Sequence, residues 1–193
     1  MSKTVAPPAT STRAPALPPD ERRSMIVAAT IPLLIEHGEM VTTRQIADAA
    51  GIAEGTIFRA FPDKDSLVAA AIEAVLDPEP VERALAAIDP ALGLRDAVTA
   101  AVVILQKRVV HVWRIASSIG PRFNDANRKH LTVSPALLEL FTRHRRELSI
   151  PPVDAARLLR SITLAVTHPS LAEVPMKPAA VVELFFHGVA KPC

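Results

Sequence analysis

The sequence predicts an all-α protein. Of its 193 residues, 49% are hydrophobic, and only six are glycine. The long runs rich in Ala, Leu and Val lack the alternation of apolar and polar residues that marks strands. Aromatic residues amount to only 4%, so aliphatic side chains must supply most of the core.

Composition also excludes several kinds of site. Cys193 is the single cysteine, so an internal disulfide is impossible. No apolar run approaches the roughly 20 residues of a membrane span, and we expect a cytoplasmic protein without membrane contact. We expect no metal and no cofactor, because the histidines share no ligand spacing: His111, His130, His144, His168 and His187.

The chain begins with residues 1–19, rich in Pro, Ala, Thr and Ser, which we predict to be a disordered tail. A helix over 20–37 follows and ends at Gly38. Thr42 then suits an N-cap, and Gln45 three residues later completes a capping box. Gly51 provides the turn into a second short helix over 54–61.

Asp63 is a good cap for a fourth helix over 64–76, and Pro78 and Pro80 then mark a domain boundary. We therefore divide the chain into a tail (1–19), an N-terminal domain (20–77) and a C-terminal domain (78–193). The C-terminal domain reads as helical throughout, with helices expected over 81–88, 92–108, 109–119, 135–148, 153–167 and 178–189.

The stretch "TTRQIADAAGIAEGTIFRAF" (42–61) has the properties of a helix-turn-helix unit. Ala47 is small enough for the helix crossing, Gly51 suits the turn, and Ile46 and Ile57 fix the crossing angle. The second helix would then present its outer side chains to a partner such as the DNA major groove. An ordinary helical hairpin within a bundle is the alternative interpretation.

The chain here resembles the TetR family of bacterial transcriptional repressors. The resemblance covers about residues 20–77, where "TTRQIADAAGIAEGTIFRAFPDKDSL" follows the family pattern "T…IA…AGV…GTLY.HF..K..L". Further on, "LLRSITLAVTHPSL" and a helix ending in "FFHGV" look like the family's last two helices.

The resemblance implies roles for individual residues. Thr42, Thr43 and Lys64 would contact phosphate, and Arg44 and Arg59 would contact base or phosphate. Phe58 stands where the family usually has tyrosine. The predicted DNA-binding set is Thr42, Thr43, Arg44, Glu54, Gly55, Thr56, Phe58, Arg59 and Lys64. Three departures, at Ala53, Phe58 and Ala60, predict a modest DNA affinity.

The last two helices look apolar on nearly every face, which predicts a two-fold dimer interface. Its expected residues are Leu158, Ile162, Val166, Val182, Phe185, Phe186 and Val189. A larger monomeric core is the alternative. An effector pocket is expected at Leu105, Trp113, Phe123 and Phe141, although core packing explains these side chains equally well.

The sequence thus predicts an all-α regulator, with an N-terminal helix-turn-helix DNA-binding domain and a C-terminal helical bundle for dimerisation and ligand binding. It would act as a homodimeric repressor of a palindromic operator in double-stranded DNA, released by an unknown small-molecule effector. Residues 20–77 carry five Lys/Arg against ten Asp/Glu, a net charge of −5. That charge favours the alternative, a small-molecule-binding or protein-interaction module that no longer binds DNA. No catalytic constellation is present, so we do not expect an enzyme.

Overall fold

The computed structural model describes residues 18–120 and 133–189, with side chains through residue 187. Over these ranges all regular structure is helical, which confirms the all-α prediction. Residues 1–17 of the predicted tail (1–19) and Phe123 lie outside the described residues, and Pro19, the last residue of that tail, instead begins the first helix. The α-helices are α1 (Pro19–His37), α2 (Thr43–Ala50), α3 (Glu54–Ala60), α4 (Lys64–Leu76), α5 (Glu79–Ala86), α6 (Leu94–Ile119), α7 (Pro135–Arg143), α8 (Pro152–Ala165) and α9 (Pro178–Val189).

The N-terminal helices begin where the sequence places their caps. The Thr42 hydroxyl accepts from the Gln45 amide while the Gln45 side chain accepts from the Thr42 amide, so the capping box of α2 is confirmed. Asp63 caps α4 through the Ser66 amide. This hydrogen bond lowers the pKa of the Asp63 carboxyl.

The N-terminal core is built from α1, α2, α3 and α4, with α1 packed against both α2 and α4. Ile26, Leu34, Ile46, Ile57 and Leu67 are all buried in it. The same cluster includes two side chains from the far end of α6, Ile115 and Ile119. Residues 20–77 therefore do not complete this core alone.

The long helix α6 is one continuous element rather than the two predicted at 92–108 and 109–119. No proline or glycine interrupts residues 94–119, so nothing in the backbone forces a break. Its first half packs in the C-terminal core through Val98 and Val102, and its last turns enter the N-terminal core. The helix thus connects both cores.

The C-terminal core is formed by α5 to α9. The rings of Phe141 on α7 and Phe185 on α9 lie 5.6 Å apart between centroids. At the surface, Arg95 on α6 forms an ion pair with Glu183 and covers the Phe186 ring at 4.6 Å. These contacts hold α9 against α6.

Several predicted helix ends in this domain are wrong, and two of them have a clear physical reason. Helix α5 begins at Glu79, ahead of Pro80, because a proline in the first turn needs no hydrogen-bond donor. Helix α7 ends at Arg143 and not at residue 148, since the chain tightens into a 3₁₀ turn over Arg145–Glu147.

Candidate nucleic-acid interface

The turn between α2 and α3 fixes the angle of the two helices. Gly51 has φ 66° and ψ 33°, the left-handed conformation that glycine adopts without strain. The amide of Ile52 donates to the Ala47 carbonyl at 3.0 Å, and Ala47 itself is buried. The predicted crossing alanine and turn glycine therefore close the unit as expected.

One face of α3 is anchored in the core and the other is open. Ile57 and the following Phe61 are buried, while Gly55, Phe58 and Arg59 are exposed. These three positions share a helix face because they are spaced by three and four residues. Phe58 is 51% exposed, so its ring is a surface feature rather than part of the core.

The N-terminal ends of α2 and α3 meet through one side-chain contact. The Thr43 hydroxyl donates to the Glu54 carboxylate at 2.5 Å. Thr42 beside it is exposed, but its hydroxyl is engaged in the capping box. To donate to a phosphate, the Thr42 hydroxyl would have to give up its hydrogen bond with Gln45. The sequence resemblance does not reveal this competition.

Lys64 lies at the start of α4 and reaches back towards α2. Its ammonium group donates to the backbone carbonyl of Glu39 at 2.7 Å. Because an ammonium carries three hydrogens, this contact leaves two for an anion. The bond positions the charge beside the segment that leads into Thr42.

Arg23 on α1 is a residue that sequence reasoning missed. Its guanidinium donates to the carbonyl of Ala60 at 2.7 Å and lies 4.0 Å from the centroid of the Phe61 ring. It thereby provides a donor for a carbonyl at the C-terminal end of α3, where the last carbonyl groups of a helix have no hydrogen-bond partner within the helix. No local pattern could reveal this contact, since the residues are 37 positions apart.

The charges on this surface are few. Arg44 and Arg59 are exposed, and within residues 18–120 and 133–189 neither forms an ion pair. Glu54 is the acidic residue of the outer α3 face, and its contact with Thr43 leaves the carboxylate charge in place. The predicted residues of this surface therefore carry two exposed guanidinium groups, one ammonium and one carboxylate.

The three predicted effector residues that the structure describes, Leu105, Trp113 and Phe141, do not share one pocket. Leu105 and Phe141 are buried in the C-terminal core, where they pack against other side chains. Trp113 instead lies against His168, with ring centroids 4.4 Å apart. Beside it, an open groove of about 410 Å³ runs between α6 and the segment that joins α8 to α9.

Several predicted interface residues are already covered within their own chain. Val182 and Phe185 are 2% and 0% exposed, so they have no surface left for a partner, and their assignment is wrong. Phe186 is partly covered by Arg95, and Leu158, Ile162 and Val166 pack partly against the C-terminal core. The side chain of Val189 lies outside the described residues.

The exposed apolar positions on these helices are different ones. Leu164 on α8 is 41% exposed, and Leu184 on α9 is 45% exposed. The open face of α8 also carries Arg157 and Ser161, so this helix is less apolar than expected. The sequence pattern could not separate the two faces because leucine occurs on both.

The described residues contain neither a cluster of metal ligands nor a membrane-spanning helix. Among residues 18–120 and 133–189 there is no group of three or more His, Cys, Asp or Glu side chains that could hold a metal ion. In the same part of the chain, no helix is both long and apolar enough to cross a membrane.

Part of the chain matches a known protein family. Residues 26–71, which contain α2 and α3, match the family model of bacterial regulatory proteins of the tetR family. None of the curated protein sequences compared with the chain matches it.

Solved structures resemble the chain over most of its length. Reduced NemR from E. coli has a TM-score of 0.65 at 15% identity, with 90% of this chain and 99% of that chain covered. A putative TetR-family regulator from Mesorhizobium loti gives 0.62 at 16% identity, covering 91% and 100%. NalD from Pseudomonas aeruginosa, a secondary repressor of the MexAB-OprM multidrug efflux pump, gives 0.54 at 21% identity, covering 90% and 100%.

Residues 26–71 thus form a helix-turn-helix domain of the kind that the tetR family model describes. The resemblance to the TetR family is confirmed: the chain has the fold of a TetR-family transcriptional regulator, with that family's N-terminal DNA-binding domain. Regulators of this family are DNA-binding transcription factors and not enzymes.

Proposed function

We propose that the protein is a homodimeric, ligand-responsive repressor that binds a palindromic operator. The observation that carries the proposal is the open face of α3, where Gly55, Phe58 and Arg59 project from a helix anchored by Ile57 and Phe61. A helix held in this way can enter the major groove, with its outer side chains at base edges.

The contacts to DNA divide into two kinds. Lys64 and the first amides of α2 are suited to phosphate, which positions the protein without reading sequence. The hydroxyls of Thr42 and Thr43 can join them only by leaving their present acceptors, Gln45 and Glu54. Arg44 and Arg59 are free to contact bases, and arginine pairs with guanine through two hydrogen bonds. Glu54, Gly55, Thr56 and Phe58 complete the proposed surface.

The proposed dimer forms through the open faces of α8 and α9. Leu164 and Leu184 are exposed there, and a two-fold contact would remove both from water in each subunit. Leu164→Glu and Leu184→Glu should shift the protein from dimer to monomer in analytical ultracentrifugation. Leu171→Glu is the matched control, because Leu171 is exposed outside both helices.

The proposal is tested by selecting bound sequences from a random pool of duplex DNA. We expect a palindrome whose half-sites lie one helical turn, about 34–36 Å, apart. Affinity should also fall steeply with salt, because phosphate contacts release counterions. A protein with no salt-sensitive affinity for any duplex would contradict the repressor.

A second candidate follows from the charge of the N-terminal domain. Residues 20–77 carry a net charge of −5, which opposes the approach of phosphates. Under that candidate the helical domains bind a small molecule or a protein, and DNA binding has been lost. The random-pool selection separates the two candidates directly.

A further inference from the structure

The open groove of about 410 Å³ follows one side of α6. Lys107, Val110, His111 and Arg114 line it from that helix, with Met176 on the opposite side. Their spacing of three, four and seven residues places the α6 residues in one stripe. The volume falls within the range of roughly 300–1,000 Å³ typical of small-molecule sites.

The two sides of the groove are tied together. The side-chain amide of Gln106 donates to the Thr167 hydroxyl at 3.1 Å and to the Met176 carbonyl at 2.8 Å. Both acceptors belong to the segment between α8 and α9. The side chain of Gln106 on α6 therefore fixes the position of the segment that forms the opposite side of the groove.

The charge of the groove is positive. Lys107 and Arg114 are exposed, and in the described part of the chain neither forms an ion pair. Among the described residues that line the groove there is no carboxylate. Partial loss of hydration lowers the pKa of His111, and Arg108 and Arg114 lower it further. These effects favour the neutral imidazole of His111, which can donate one hydrogen bond.

Apolar surface lies between the two cations. Val110 and Met176 are both 39% exposed, although a buried position would be favourable for each side chain. A ligand that satisfies the groove must therefore carry a negative group and a short apolar body. A small amphipathic carboxylate has this chemistry.

We propose that this groove binds a small amphipathic carboxylate, and that this ligand is the effector of the repressor. The second part rests on the proposed function. The carboxylate contacts Lys107 and Arg114, and the apolar body covers Val110 and Met176. Of the pocket residues expected from the sequence, the three that the structure describes, Leu105, Trp113 and Phe141, do not line this groove.

Two hydrogen bonds attach α6 to the N-terminal domain, one within the stretch that lines the groove and one just beyond it. The Arg108 guanidinium donates to the Val75 carbonyl on α4. Further along, the Ser118 hydroxyl is within hydrogen-bond distance of the Ile35 carbonyl on α1, at 3.1 Å, and of the Arg114 carbonyl, at 2.9 Å. A hydroxyl donates one hydrogen at a time, so a shift at Arg114 changes the contact with α1.

Binding can be read from Trp113, the single tryptophan of the chain, which lies against His168 beside the groove. Decanoate, at concentrations below its micelle threshold, should change the fluorescence of Trp113 in a saturable way. Decanol and decyltrimethylammonium, which share the ten-carbon chain, should bind at least tenfold more weakly. Equal binding of decanoate and decanol would overturn the proposal.

Variants locate the site. Replacing Lys107→Gln and Arg114→Gln together should raise the decanoate Kd at least tenfold, with an unchanged circular dichroism spectrum. Arg143→Gln, at an exposed arginine on α7, is the matched control and should leave the Kd unchanged. A double variant that binds decanoate as tightly as the original protein would place the ligand elsewhere and refute the site.

The effector role is tested on DNA with the same proteins. Decanoate should weaken DNA binding of the original protein at least fivefold and leave DNA binding of the double variant unchanged. Decanoate bound in the groove without an effect on DNA would refute the effector role. If the protein without decanoate has no DNA affinity, the proposed repressor function is refuted. The fluorescence measurements still show whether the groove binds the carboxylate.

Discussion

The guanidinium of Arg23 donates a hydrogen bond of 2.7 Å to the carbonyl of Ala60, the last residue of α3. Arg23 belongs to α1, so one side chain joins the first helix of the domain to the end of the proposed recognition helix. Because the cation also covers Phe61, it holds the orientation of α3 from its C-terminal end.

Replacing Arg23→Ala should therefore act through the position of α3. We expect the free energy of unfolding to fall by about 1 kcal/mol, the usual net value of a hydrogen bond, and DNA affinity to fall as α3 loses its orientation. Urea unfolding and DNA titration measure the two effects. Arg59→Ala is the contrast, because it should weaken DNA binding without a change in stability.

Lys64→Ala should weaken binding to all DNA sequences to a similar extent. Loss of one phosphate contact lowers the slope of log K against log salt by nearly one unit. Titrations of several duplexes at several salt concentrations measure this slope. Lys177→Ala, at an exposed lysine before α9, is the control, and an unchanged slope for Lys64→Ala would remove Lys64 from the interface.

Phe58→Tyr should tighten DNA binding. The ring is exposed on the open face of α3, so an added hydroxyl can reach a phosphate at no cost in packing. One such hydrogen bond contributes about 0.5–1.5 kcal/mol, up to roughly a tenfold change in Kd. Unchanged affinity in a fluorescence titration would show that the ring does not lie against the DNA backbone.

Glu54→Gln should increase affinity for random duplexes at low salt. The amide oxygen of glutamine can still accept from Thr43, while the negative charge that repels phosphate is lost. Such exposed charges contribute about 0.2–1 kcal/mol, so the gain is a few-fold at most. Glu73→Gln on α4 is the control, and a weaker complex would instead indicate that Glu54 contacts a base.

Gly38→Ala should destabilise the fold strongly. Gly38 has φ 55°, and a Cβ there would lie 2.5 Å from the Ser118 carbonyl oxygen on α6. Backbone strain of this kind costs about 1–3 kcal/mol before the steric clash is counted. Gly55→Ala is the matched control: a Cβ there meets nothing within 4 Å, so urea unfolding should detect no loss of stability.

The N-terminal domain could be predicted closely because its signals are local. Thr42 and Gln45, and likewise the Asp63 cap of α4, act over three residues, and Gly51 needs only its own backbone freedom. The contact of Arg23 with Ala60 and that of Lys64 with Glu39 were not predictable. They depend on how distant helices pack, which no short motif encodes.

In the C-terminal domain more of the predicted residues were affected, because the position of each helix there depends on packing between distant parts of the sequence. Hydrophobicity marks Val182, Phe185 and Leu184 alike, yet the first two are buried and the third is exposed. The charged groove on α6 was missed because its opposite side comes from residues 167–176, far away in the sequence. The prediction also divided α6 at residue 108, although neither half carries a cap or breaker there, so its continuity could have been read from the sequence.

The shared helix α6 has a practical consequence for protein engineering. A fragment that ends after Leu76 would lack Ile115 and Ile119 and would leave a cavity in the N-terminal core. We therefore expect its N-terminal domain to unfold at a lower temperature than in the whole protein. A chimeric protein built with this N-terminal domain must therefore also include the final turns of α6, although they lie some forty residues after the end of α4.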